Sequence, residues 1–192
     1  HRISVHDLTG FDGRFDSILL TLNHGAPVED ISTLRNKYLG IPSLPEDKGT
    51  FDFVVVGGGV AGMCAALSAA RLGHKVALVQ DRKVLGGNNS SEVRVGLGGR
   101  INIGPYPSLG YLLNEFAPSR KGNARPAEVY EDGKKLDIIL KEKNITLFLG
   151  FKVTGVDKSD SGTICSVTAT NTDNYRTIRI SGHYRNLCGN AR

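Results

Sequence analysis

From Phe53 to Val56 the chain is continuously apolar, and it then runs into three consecutive glycines, Gly57, Gly58 and Gly59. A short apolar run bounded by turn residues predicts a parallel strand buried on both faces. The next stretch is rich in alanine up to Gly73, which predicts a helix whose small residues, Ala66 among them, let it lie close to a sheet. Lys75 to Gln80 (KVALVQ) then supplies a second strand. Phe53 to Ala70 carries no charge, but its glycines, alanines, serine and cysteine make a poor hydrocarbon-facing helix, so a membrane span is not expected.

Farther along, the pattern predicts helices over residues 109–116 and 128–143. In the second of these Leu136, Ile139 and Leu140 form an apolar stripe expected to face the core. A strand is expected over 145–156, then an antiparallel pair, 163–170 and 175–181, around the turn at 171–174. Upstream, residues 1–23 show β patterning on either side of a glycine-rich turn, and 30–38 predicts a short helix. Residues 40–49 (GIPSLPEDKG) have the composition of a linker. The expected division is therefore a β-rich upstream segment with linker, 1–45, and a Rossmann-like α/β domain, 46–192. That domain would hold a βαβ unit and an antiparallel β-meander, and would be incomplete at its C-terminal end.

Composition narrows the class only a little. The 192 residues are 40% hydrophobic and 22% charged, as in a soluble globular chain. The net charge of +5 comes from scattered Lys and Arg residues, so nucleic acid is not an expected partner. Cys64, Cys165 and Cys188 lack C-x-x-C spacing, which argues against zinc and dithiol chemistry. The chain begins at His1 and is expected to be a fragment or a processed product; compartment and oligomeric state are not legible.

The chemistry is carried by Gly57, Gly59 and Gly62, a G-x-G-x-x-G placed between a strand and a helix. The first glycine allows the tight turn, the second admits a pyrophosphate to the backbone, and the third lets helix and strand pack closely. No carboxylate lies between Asp52 and Asp81 to oppose an anion at the helix N-terminus. A dinucleotide is expected there. The end of the second strand, where an acid commonly holds ribose hydroxyls, has Gln80, Asp81 and Arg82 instead, which by itself leaves FAD, NAD and NADP open. The second glycine pair, Gly86 and Gly87, favours FAD, whose extended pyrophosphate–ribityl region needs a second close backbone approach.

The strings VVGGGVAG (55–62), ALVQDR (77–82) and LGGNNSSEVRV (85–95) resemble a family of bacterial FAD-dependent oxidoreductases. That family has the glutathione-reductase-type FAD fold and is often encoded beside polysaccharide-degradation genes. The resemblance extends to VHDLTG (5–10), DGR (12–14), RKGNA (120–124) and KNITLF (143–148). It implies that Gly57, Gly59 and Gly62 face the FAD pyrophosphate and that Gln80, Asp81 and Arg82 surround the adenosine. It further implies that Gly87 and Asn88 lie along the pyrophosphate–ribityl stretch, with the backbone of Val153 at the adenine. At the C-terminus only Cys188, Gly189, Asn190 and Ala191 keep the family pattern, and its ribityl-binding acid is missing.

Related dithiol flavoenzymes carry a cysteine pair where this chain has Asn88, Asn89, Ser90 and Ser91, so disulfide reductase chemistry is not expected. Asn88, Ser91, Glu92 and Arg94 are candidate active-site polar groups, although a glycine-rich loop also needs such residues to satisfy its own backbone. His6, His24, His74 and His183 have no acid at useful spacing, and structural or surface roles are expected for them. Tyr106 and Tyr111 are candidates for lining a cleft or for packing. The expected activity is flavin-mediated hydride transfer with a small organic substrate, carbohydrate-derived ones included. The competing expectation is a non-catalytic nucleotide- or carbohydrate-binding fragment.

Overall fold

The structure is a computed structural model that describes residues 30–182 and the single positions 2, 4, 6, 18, 20 and 22. The expected β pair over 1–23 and the C-terminal residues 183–192 thus fall outside the described residues, apart from those isolated positions. Helix α1 (Ile31–Leu39) starts where Asp30 accepts hydrogen bonds from the backbone N–H groups of Ser32 and Thr33. It ends at Gly40 in the left-handed conformation.

Three layers follow. Strands β2 (Phe53–Val56), β3 (Val76–Gln80) and β4 (Ile145–Leu149) form a parallel sheet in the order β2-β3-β4. Helix α2 (Val60–Arg71) makes the crossover from β2 to β3. Strand β3 is buried along its whole length, as its apolar run predicts. Val76 and Leu78 pack with Met63, Ala66, Leu67 and Ala70 of α2, together with Phe116 and Ile139. Ala77 and Val79 point the other way, into a second cluster with Phe51, Val167, Ala169, Ile178 and Ile180. The strand period of two thus serves both cores of the domain. Each fully buried valine, leucine, isoleucine, methionine or phenylalanine side chain in them is worth roughly 1.5–3 kcal/mol.

The second cluster is closed by a four-stranded sheet in the order β1-β7-β6-β5, made of β1 (Glu46–Phe51), β5 (Phe151–Lys158), β6 (Ile164–Asn171) and β7 (Thr177–Gly182). The expected antiparallel pair is β6 with β7. Two expectations need correction here. Residues 46–49, read as linker, belong to β1, which runs parallel to β7 and buries only Phe51 fully. The single strand expected over 145–156 is two strands in different sheets. Gly150, at φ 72°, turns the chain so that β4 stays beside β3 while β5 pairs antiparallel with β6.

The helix expected over 128–143 is also divided. A 3-10 turn, Ala127–Tyr130, is separated from α4 (Asp132–Lys141) by Glu131 in the left-handed region, where its carboxylate accepts the Ser119 N–H and hydroxyl. The break rotates the helix relative to the simple stripe. Ile139 is buried and Leu136 packs beside it, but Leu140 is 63% exposed and Lys135 occupies the core instead. Helix α3 (Gly110–Phe116) contributes Phe116 to the first core. The Arg71 guanidinium grips both carboxylate oxygens of Glu115 at 2.8 Å and one of Glu142 at 2.8 Å, tying α2 to α3 and to the end of α4.

Candidate functional site

The site grows from the end of β2. Gly57 continues the parallel ladder by donating to the Val79 carbonyl at 2.7 Å, then turns with φ 104°. Gly62 lies one turn into α2, directly above that turn. A methyl group on it would stand 1.8 Å from the Gly57 carbonyl oxygen, so glycine is obligatory for this packing. Gly59 is the N-cap residue of α2; no side chain caps the helix and its first turn holds no acid. The first-turn N–H groups keep their donors and their partial positive charge free for an anion.

The second glycine pair meets the first. Gly86 donates to the Gly58 carbonyl at 2.8 Å, and residues 59 and 86 form an isolated parallel bridge. Gly86 and Gly87 both have positive φ, 104° and 60°. A methyl on Gly87 would come within 3.1 Å of the Gly59 Cα. Two backbone segments without side chains therefore lie against each other at the uncapped end of α2. They open onto a cleft of about 430 Å³, lined by residues 59–61, 86–89 and 95–98. In its wall Asn89 donates through Nδ2 to the Val95 carbonyl, while its Oδ1 is buried without a partner. A second cleft of about 300 Å³, sharing Val60 with the first, is lined by Cys64, Arg100, Ile101, Tyr106 and Leu113 among others. Burial raises the Cys64 thiol above its ordinary pKa, so it is a poor thiolate there.

Among the residues singled out in the sequence, Gly59, Gly87 and Asn88 line the first cleft, and Gly57 and Gly62 build the turn beneath it. Gln80 stands apart: it is 4% exposed, and its amide accepts the Gly58 N–H at 2.7 Å and donates to the Val84 carbonyl at 3.2 Å. Asp81, exposed, and Arg82, half-buried with its Nη1 buried and without a hydrogen-bond partner, follow at the β3 end, outside the cleft. The Arg82 carbonyl accepts from Gly150, which brings this end of β3 to the start of β5. Val153 lies on β5, an edge strand of its sheet, paired with Ala169 on one side only. Glu92 sits 3.7 Å from Arg82, and Arg94 donates to the Ser91 carbonyl at 2.9 Å, so both serve the loop itself. His74 does find an acid: its Nδ1 is 3.9 Å from Asp52, a pairing made by the tertiary fold. Tyr106 lines the second cleft at 71% exposure, and Tyr111 is exposed beside it in sequence.

Sequence reasoning missed Asn89, Tyr130, Asp132 and Lys135. The Tyr130 hydroxyl donates to the Arg94 carbonyl at 2.5 Å, and Asp132 accepts the Ser91 N–H. No spacing rule connects these residues to a loop some forty positions upstream. Among the described residues no cluster of three His, Cys, Asp or Glu side chains could hold a metal, and no helix is long and apolar enough to cross a membrane.

The family model for FAD dependent oxidoreductases matches residues 52–184, a span that contains both glycine pairs and strands β2 to β7 but not β1. The chain belongs to the family of FAD dependent oxidoreductases. Its cofactor is FAD, and the fold is that of the family's Rossmann-like flavin-binding region. A soluble pyridine nucleotide transhydrogenase of Pseudomonas putida is 55% identical over 38 residues, which is 20% of this chain and 8% of that protein. Two solved structures share the fold. The 3-ketosteroid-delta4-(5alpha)-dehydrogenase of Rhodococcus jostii has TM-score 0.51 and 14% identity, over 73% of this chain and 45% of its own. Sdh1 of Mycobacterium smegmatis has TM-score 0.50 and 15% identity, over 71% and 33%. The chain of this family member thus spans less than half the length of each of these relatives.

The residues present fit that cofactor. Gly59 and Gly87 leave a cradle that any side chain would fill, the uncapped α2 terminus offers N–H donors to a diphosphate, and the orphaned Asn89 oxygen suits a hydroxyl-bearing chain.

Proposed function

We propose that this chain forms the nucleotide-binding part of a flavin site in an oxidoreductase that exchanges hydride with a small organic substrate. The observation that carries the reading is the meeting of the Gly59 and Gly86–87 backbones at the uncapped N-terminus of α2, under an open cleft. In this reading Gly57, Gly59 and Gly62 give the pyrophosphate its turn and its close approach. Gly87, Asn88 and Asn89 line the path of the ribityl chain. Asp81 and Arg82 stand at the adenosine, and the free backbone edge of Val153 meets the adenine. Gln80 acts from inside by bracing the Gly58 N–H, so that the glycine turn keeps its shape. FAD, when bound, supplies the electron-accepting ring; the protein orients it and excludes water.

The substrate is assigned only as a small organic molecule, and a carbohydrate-derived one follows from the sequence resemblance alone. The start of β1 at Glu46 supports a domain boundary near residue 45, with 46–192 as the flavin-binding unit. The test is direct. Purified protein should show the visible absorption of oxidised flavin, and heat should release FAD, identified chromatographically against FMN and the nicotinamide dinucleotides. A colourless protein whose absorption does not change on adding FAD defeats the proposal.

A further inference from the structure

We propose that Asp132 and Lys135 are positioning residues for the cofactor, jointly holding residues 86–91 in the conformation that admits the FAD diphosphate and ribityl chain. The inference rests on the flavin reading above and concerns residues outside the glycine motif. Lys135 has no exposed side-chain surface. Its stem lies beneath Gly86, so close that a methyl there would meet Cδ and Cε at 3.0 Å. Its ammonium donates to the Tyr130 carbonyl, left free by the helix break at Glu131, and to Asp132 Oδ1 at 3.5 Å. Asp132 in turn accepts the Ser91 N–H with both carboxylate oxygens, at 3.2 and 3.1 Å.

The loop is thus held at both ends by one turn of α4: by contact under Gly86 and by a charge-assisted bond at Ser91. Burial pushes the Lys135 pKa below its ordinary value, and the neighbouring Asp132 carboxylate opposes that shift. An apolar side chain of the same length would satisfy packing at lower desolvation cost, so packing alone does not explain a charge here. A role that packing leaves unfilled is neutralising Asp132. Alone, that partly buried carboxylate would put a negative charge against the loop that must receive an anionic diphosphate.

The experiment titrates FAD into apoprotein, following flavin fluorescence and the visible circular dichroism of bound flavin, with apoprotein Tm measured separately. The variants are Lys135→Met, Asp132→Ala and the double substitution. Each single variant should weaken FAD affinity about tenfold or more. Asp132→Ala should do so with an altered flavin dichroism, and with a lower apoprotein Tm because it strips the buried Lys135 ammonium of its carboxylate. The double variant should bind no worse than Lys135→Met, because its uncompensated carboxylate is gone. Additive losses in the double variant overturn the inference. Wild-type-like affinity in Asp132→Ala overturns it alone, and decides the matter even if Lys135→Met fails to fold. Wild-type protein that takes up no FAD removes the flavin reading and this inference together.

Discussion

Replacing Gly62 with alanine sets two effects of opposite sign against each other. Gly62 lies inside α2, where alanine would ordinarily gain up to about 1 kcal/mol through helix propensity. Its methyl, however, would stand 1.8 Å from the Gly57 carbonyl oxygen and 3.0 Å from the carbonyl carbon, both backbone atoms that cannot rotate away. That is roughly 1.6 Å short of ordinary van der Waals contact, which begins near 3.4 Å. Relief requires α2 to move off the sheet. Met63, Ala66, Leu67 and Ala70 would then lift from Val76 and Leu78, and a gap of 0.5–1 Å already forfeits about a quarter to a half of each contact. Overpacking of this kind costs about 3 kcal/mol or more, so the clash outweighs the propensity gain and a net loss of about 2 kcal/mol is expected. The control is Gly133→Ala in the first turn of α4, where a methyl meets nothing within 4 Å and stability should hold or rise by up to about 1 kcal/mol. Urea unfolding of both variants measures the difference, and the Gly62 loss corresponds to a Tm lower by about 4–8 °C for a chain of this size. A Gly62→Ala protein as stable as wild type would refute the close helix–turn packing on which the site is built.

The other predictions concern the loop, the brace and the acid limb. Gly87→Ala forces a side chain into φ 60° and against the Gly59 Cα, so FAD affinity should fall at least tenfold while Tm drops only slightly; unchanged affinity would show that the cradle is not used. Gln80→Leu leaves the buried Gly58 N–H without its acceptor and should cost about 1–3 kcal/mol in urea unfolding, a loss that a neutral result would rule out. Asp157 is held below its ordinary pKa of 3.8 by the Ser166 hydroxyl and then by Arg179. Because its folded pKa is depressed, its contribution is fully present above pH 3.8 and is lost as pH falls through the folded value. Ser166→Ala should therefore flatten the stability loss below pH 3.8, by under about 1 kcal/mol for a half-exposed carboxylate, and an unchanged acid limb would contradict the pairing.

The strand–glycine–helix–strand unit was legible because each of its requirements is local. An apolar run buries on both faces, a glycine turns or packs closely, and a charge-free helix start leaves its N–H groups open, all within residues 53–80. Elements whose state depends on a distant partner were not legible. The polar string EDKGTF becomes β1 only because β7 offers it a hydrogen-bonding edge, and Gly150 redirects one apolar run into two sheets because β3 and β6 compete for it. Lys135 lay on a helix whose phase the break at Glu131 reset, exposing Leu140 and burying a lysine where a stripe of leucine and isoleucine was expected.

The glycine motif at the candidate site was therefore determined by the sequence itself, since close backbone approach is encoded by the missing side chains. The tertiary structure alone decided what holds that site in shape. Gln80 turned inward, Asp132 on Ser91 and Lys135 beneath Gly86 are hydrogen bonds and contacts between segments that only the folded layers bring together.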